Sequence, residues 1–251
     1  MQEPTAGNLY ADLSGYYDGF CHEVDYAEQG DFLRRAFDCL AESTGKDYLD
    51  LACGTGQLLQ QMHQHGFAVA GLDNSPQMLE ATARRCPSAA LMLCDLASFD
   101  GPGRFDLISC FLYSIHYSHP VAALTETVNR AFQALKPGGV FLFDLVDKNG
   151  INNRDAVTRL ERDHARFTFR SGWRYDGCSE SMVLQVAIRR EDANGVQDWE
   201  DRHRMTAITI AQVNELMRDA GFVITLLERD FARLREWEGD SFNVIMAGRK
   251  P

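Results

Sequence analysis

Three aspartates, Asp50, Asp73 and Asp95, each stand at or beside the end of a short apolar run, where a carboxylate can accept hydrogen bonds from a ligand. The first lies in Leu49-Asp50-Leu51-Ala52-Cys53-Gly54-Thr55-Gly56-Gln57-Leu58-Leu59, an apolar run entering a glycine-rich turn and then a helix. Such a turn lets the backbone approach a ligand at the carboxyl end of a parallel sheet, where open α/β folds bind. A dinucleotide site would want a third glycine where Leu59 stands, so that a helix N-terminus could meet a pyrophosphate. Asp50, four residues before Gly54, would crowd a pyrophosphate but suits an ammonium group. The favoured ligand is an adenosine with a positive charge and no phosphate. Asp73, seventeen residues after Gly56, could accept from both ribose hydroxyls, and Asp95 from the adenine amino group. Singly, each acid could be a helix N-cap or a solvated loop residue; three acids in phase with three strands are far more specific.

The elements that must carry these residues follow from the spacing of apolar positions. Strands are expected at 48–52, 68–72, 90–94, 105–111 and 140–146, alternating with helices that begin near Gln57, Ser75 and Ala122. Lys136-Pro137-Gly138-Gly139 reads as a turn that stops one helix before the next strand. This alternation predicts an α/β fold with a parallel sheet covered on both faces. Upstream, Phe32, Leu33, Ala36, Phe37 and Leu40 mark one face of a helix, preceded by a lead-in rich in tyrosine: Tyr10, Tyr16, Tyr17 and Tyr26. Downstream, 166–175, 181–190 and 197–208 read as three extended segments joined by Asp176-Gly177 and Asn194-Gly195, an antiparallel meander. A helix at 210–220, ended by Gly221, and strands at 223–228 and 241–248 complete the chain. The expected organisation is a helical cap at 1–45, a core at 46–150 and 209–251, and a β insertion at 151–208.

Composition sets the outer bounds. The 251 residues suit one large domain, and 25 basic against 36 acidic residues give a net charge of −11 with histidines neutral. That charge repels phosphate backbones and anionic lipids, so no nucleic-acid partner and no membrane partner is expected. Seven scattered cysteines without a CxxC pair, and no zinc-ligand spacing, read as buried thiols in a reducing compartment and no metal site. No apolar run is long enough for a membrane span, and the N-terminus lacks a signal core. The expected localisation is cytoplasmic.

Residues 50–56, 71–78, 95 and 136–139 resemble the class I S-adenosylmethionine-dependent methyltransferases, over roughly residues 10–147. The likeness is nearest to a small-molecule branch with an LDxACGTG loop, which holds sugar-amine N-methyltransferases and uncharacterised bacterial relatives. The resemblance implies a Rossmann-like, seven-stranded sheet whose last strand, 241–248, is antiparallel, with the β insertion as a lid over the acceptor site. It implies S-adenosylmethionine as cofactor. It assigns the methionine end to Ala52, Gly54 and the tyrosine lead-in, with Tyr17, Asp50 and Gly56 in the cofactor set. It gives the ribose to Asp73 and adenine to Asp95 with Leu96. Asn74 matches as well, Met78 as an apolar wall for adenine, and Phe111 as a neighbour of the methionine moiety. Asp144 and Asp147 read as strand-end residues with weak functional claims.

Methyl transfer is an in-line displacement that needs an acceptor held close to the methyl and one proton removed. His116, leaving the fourth strand, has a pKa suited to take that proton, or it is a helix-start histidine bonded to backbone. In the sugar-amine enzymes resembled, a histidine occupies the place that aligns here with Tyr117, so His116, Tyr117 and Tyr17 are the catalytic candidates. His119 reads as a surface turn residue. For the acceptor the candidates are Tyr10, Tyr113, Arg170 and Trp173. Arg154, Arg159, Arg162, Arg166, Arg170 and Arg174 make a local basic run, either a cap that favours an anionic or planar acceptor or a solvated face balanced by acids. His203 and Arg204 open HRMTAIT, similar to a lid-strand signature of the uncharacterised relatives. The leading expectation is methyl transfer to nitrogen, less readily oxygen, of a small metabolite such as an amino sugar or a heteroaromatic natural-product intermediate. The alternatives are a tRNA or protein methyltransferase, or a non-catalytic cofactor-binding protein. The lid strands could also offer a dimer edge, so monomer and homodimer both stand.

Overall fold

The computed structural model describes residues 5–251, so residues 1–4 of the expected cap lie outside the described part. The central sheet takes β2 (Asp47–Leu51), β3 (Ala68–Asp73), β4 (Ala90–Leu93), β5 (Phe105–Cys110), β6 (Leu135–Val146), β11 (Val223–Glu228) and β12 (Asn243–Arg249). Their order is β11-β12-β6-β5-β2-β3-β4, with β12 antiparallel to both neighbours and the β6-to-β4 side wholly parallel. Every residue of β5 is buried, as a strand covered on both faces demands. One face is covered by α2 (Tyr26–Leu40) and α3 (Gln57–Gln64), through Phe32, Leu33, Leu59 and Met62. The other is covered by α5 (Val121–Ala134) and α6 (Ile210–Ala220), through Leu124, Val128, Val213 and Met217. The remaining helices are α1 (Tyr17–Phe20) and α4 (Pro76–Arg85).

The expected strands fall within two residues of the observed ones, except where β6 begins. There Leu135 already pairs with Phe105, and regular pairing resumes at Leu107 with Val140. Lys136–Gly139 is thus an irregularity inside the strand and not a separate turn before it. Lys136 Nζ sits 2.8 Å from the buried carboxylate of Asp106, which anchors the end of the sheet opposite the three aspartates.

The insertion differs from the sequence reading in one respect. It supplies four strands, β7 (Ala156–Arg162), β8 (Ala165–Arg174), β9 (Ser181–Asp192) and β10 (Gly195–Thr206), where three were expected. β7 was hidden because its apolar positions are only Val157 and Leu160 among arginines and a glutamate. Its two-residue turn to β8, Asp163-His164, has both residues left-handed, as a tight hairpin requires. The fifth strand is β1 (Thr5–Ala6), which pairs in parallel with Trp199 and Glu200 of β10. One face of this second sheet packs Phe167, Phe169, Val186 and Ile188 against Leu9 and Leu13. The opposite face carries Arg166 and Arg170 to solvent.

Candidate active site

The loop after β2 is bent by three left-handed residues, Ala52 (φ 59°), Gly54 (φ 55°) and Gly56 (φ 78°). At Gly56 a side chain would come within 2.7 Å of Thr82, so only glycine starts α3 this close to α4. Asp73, at the end of β3, ties this loop to the next one. Its Oδ2 accepts from the Gly54 N–H and its Oδ1 from the Ser75 N–H, both at 2.9 Å. Burial pushes its pKa upward against the pull of those two amides. Asp95, exposed past β4, accepts from the Asn74 side-chain amide at 2.9 Å.

A cavity of about 750 Å³ lies along these strand ends. It brings together Tyr10, Tyr17, Ala52, Gly54, Asp73, Asn74, Asp95, Leu96 and Tyr117 of the expected residues. A second cavity, about 430 Å³, lies between the strand ends and the insertion and is lined by Tyr10, Tyr17, Tyr113, Tyr117 and Trp173. The two share Tyr10, Tyr17, Ser114 and Tyr117 as a common wall. Across that wall the hydroxyls of Tyr10 and Tyr117 meet at 2.7 Å. Burial raises the pKa of both, so they stand there as neutral hydroxyls.

Asp50 and Phe111 line neither large cavity. They face a third space of about 30 Å³ behind the glycine loop, with Tyr17, Tyr26, Gln29, Ala52 and Leu112. Asp50 is 4% exposed, accepts from Ser109 Oγ at 2.9 Å, and is pushed up to about 7 by burial. Met78 is fully buried one turn into α4, and the neighbouring Pro76 and Gln77 line the large cavity in its place.

His116 is not placed to act as a base. It is 1% exposed, and both ring nitrogens are engaged by backbone: Nδ1 lies 2.8 Å from the Thr206 carbonyl, and Nε2 accepts from the Val146 N–H at 3.1 Å. These partners fix a neutral ring with the proton on Nδ1, and burial lowers its pKa to about 4. The residue staples β6 to β10. Arg170 is likewise misplaced as an acceptor ligand, because strand alternation turns it to the solvent face while Phe169, Ser171 and Trp173 face the cavity. Arg154 lines the second cavity instead. Of the other arginines, Arg162, Arg166 and Arg174 pair with Asp163, Glu161 and Asp155.

Several lining residues carried no signal of their own. Asp201 and His203 of β10 reach the larger cavity, with His203 Nε2 2.9 Å from Asp201 Oδ2 and its ring against Tyr10 and Tyr117. Their strand is polar at nearly every position, which hides its alternation. The HRMTAIT stretch was the available clue. Behind the second cavity, Asp144 accepts from the Tyr113 N–H and from Arg229 Nε, both at 2.7 Å, and Arg229 stacks on the Tyr113 ring at 4.5 Å. That clamp holds a turn in which Leu112 (φ 58°) and Tyr113 (φ 59°) are both left-handed.

Residues 49–139 match the family described as a methyltransferase domain. The chain is 32% identical over 200 residues to the dTDP-4-amino-2,3,4,6-tetradeoxy-D-glucose N,N-dimethyltransferase of Saccharopolyspora spinosa, covering 78% of each chain. It is 26% identical over 226 residues to the dTDP-3-amino-3,4,6-trideoxy-alpha-D-glucopyranose N,N-dimethyltransferase of Streptomyces venezuelae, covering 82% of this chain and 94% of that one. Among solved structures, the sugar N-methyltransferase KedS8 from a Streptoalloteichus species superposes with a TM-score of 0.82 at 21% identity, over all of this chain and 98% of the other. A glycine loop and three strand-end acids on a sheet of this order, in a chain so related, have one reading: the chain belongs to the S-adenosylmethionine-dependent methyltransferases.

Proposed function

We propose that this enzyme transfers a methyl group from S-adenosylmethionine to the nitrogen of a small amine, and that the amine is carried on a sugar, as in the relatives' names. The observation that carries this reading is the common wall of Tyr10, Tyr17, Ser114 and Tyr117, across which one ligand in each cavity would meet the other.

The larger cavity fits the cofactor. Asp73, Asp95 and Asp201 outnumber Arg202 among its charged lining groups, which suits a cationic ligand without phosphate. At Gly54 an added side chain would come within 3.5 Å of the Tyr17 ring, so the glycine keeps a narrow space open beside the loop. Bound S-adenosylmethionine supplies a methyl group made electrophilic by its sulfonium. Asp73, with lone pairs beyond those taken by Gly54 and Ser75, would hold the ribose hydroxyls; Asp95 and Leu96 would hold the adenine edge and face.

Nitrogen is favoured over oxygen by the ionisation state of the acceptor cavity. A neutral amine attacks with its own lone pair and sheds its proton afterwards, whereas a hydroxyl needs a base as it attacks. Burial holds the Tyr113 hydroxyl at about 12 and the Cys21 thiol at about 11, and keeps Tyr10, Tyr17 and Tyr117 protonated. Tyr10 and Tyr117 therefore orient the amine, Trp173 and Tyr113 wall its ring, and positioning supplies the rate. The insertion acts as the lid of this cavity. Its free cysteines suit a reducing cytoplasm, and no described helix is long and apolar enough to cross a membrane.

The test is a panel of amino sugars, free, as methyl glycosides and nucleotide-linked, assayed for S-adenosylhomocysteine release and for methylated amine by mass spectrometry. Wild type should methylate at least one primary amine, and Asp73→Ala should lose that activity through weakened cofactor binding. Product formed only from hydroxyl compounds overturns the assignment to nitrogen.

A further inference from the structure

Gln29 has no place in the account so far. It sits on α2, a helix that packs against α3 and touches neither large cavity, yet it is 3% exposed and its amide oxygen has no hydrogen-bond partner. It lines the 30 Å³ space behind the glycine loop, opposite Asp50 and beside Tyr17, Tyr26 and Ala52. A buried amide without a partner costs free energy, so its retention calls for a ligand. Local packing serves the same placement. Gly30, next in the helix, would put a side chain 2.8 Å from Gln61 of α3, so a glycine in mid-helix lets α2 come this close.

Tyr17 and Ala52 line both this space and the cofactor cavity, so it opens off the site where the glycine loop meets the ligand. Its groups are one carboxylate and one amide. A carboxylate accepts from an ammonium, and an amide offers an acceptor to an ammonium and donors to a carboxylate. Together they match the zwitterionic end of an α-amino acid. We infer that Gln29 and Asp50 form the subsite for the amino-acid end of the cofactor, with Gln29 a binding residue supplied by a helix outside the strand-end loops. This rests on the cofactor reading above.

The test compares two probes by calorimetry: S-adenosylhomocysteine, which carries the amino-acid end, and 5′-methylthioadenosine, which lacks it. Wild type should bind S-adenosylhomocysteine at least tenfold more tightly. Gln29→Leu should remove about tenfold of that preference, a lost hydrogen bond to a charged group, and leave methylthioadenosine binding unchanged. Because the substitution replaces an unpartnered buried amide by an apolar group of similar size, the ligand-free variant should melt no lower than wild type. A merely structural role predicts the opposite, a lower melting temperature with the ratio of affinities intact. An unchanged ratio in Gln29→Leu, or equal loss for both probes, overturns the inference. Equal wild-type affinities for the two probes overturn it while leaving the cofactor reading in place; binding of neither overturns both.

Discussion

Cofactor binding should be linked to a proton at Asp50. Burial behind the glycine loop raises this carboxyl to about 7, with Ser109 and Tyr48 pulling the other way and Asp73 adding to the rise. An ammonium beside it favours the ionised form, so binding releases a proton and affinity climbs with pH. With a pKa of 7 the ionised fraction goes from about one-eleventh at pH 6 to about ten-elevenths at pH 8, an increase in association constant of about tenfold, or about 1.4 kcal/mol. Above pH 8 the gain stops. The sign for stability is the reverse: the ligand-free native state holds this proton more tightly than the unfolded chain does. Its contribution is present at low pH and is lost as pH rises through about 7. Calorimetry with S-adenosylhomocysteine from pH 6 to 8, in two buffers of different ionisation heat, measures both the affinity and the protons released. The ligand's amine titrates against wild type and Asp50→Asn alike, so the difference between the two proteins isolates Asp50. A difference that stays constant over this range would refute the reasoning.

Two further outcomes separate structural from functional side chains. His116→Ala should lower unfolding free energy by roughly 2–4 kcal/mol, from two lost backbone bonds and a cavity, as read by urea denaturation. Its lowered pKa, about 4, means the neutral ring's stabilising share is full above the ordinary histidine range and fades as pH falls toward 4, so wild type should lose stability faster than His116→Ala on acidification. A stable His116→Ala protein without turnover would restore the catalytic reading. Trp173→Ala should raise the KM of the amine found in the acceptor panel by about tenfold, for loss of a buried aromatic wall, with S-adenosylhomocysteine affinity unchanged. Arg170→Ala should leave both within about twofold, and a larger effect would mean the outward face of the insertion touches substrate.

The core of this fold was legible because its strands are short, apolar and bounded by glycine or acid; α6 runs over the expected 210–220 and ends at the left-handed Gly221. The acids at the strand ends were legible for the same reason, since strand phase alone sets where they project. His116 was misread because a free imidazole's chemistry was assigned to a ring whose partners, Val146 and Thr206, lie 30 and 90 residues away. Gln29 was invisible because a polar residue on an amphipathic helix reads as solvent-facing, and only the approach of α3 buries it. Arg229 and Asp144 meet through the antiparallel last strands, a pairing that no local spacing encodes.

The pairing of β1 with β10 has a consequence for biosynthesis. Domains fold from the N-terminus as they emerge from the ribosome, but Thr5 and Ala6 have no strand to join until Trp199 and Glu200 exist. The Leu9 N–H, which donates to Asp201 Oδ2 at 2.7 Å, waits for a partner 192 residues downstream. Tyr10, which walls both cavities, is held between these contacts. The earliest synthesised described segment is therefore the last to dock, and a polypeptide fused ahead of it would load the roof of the cofactor cavity and not a free tail.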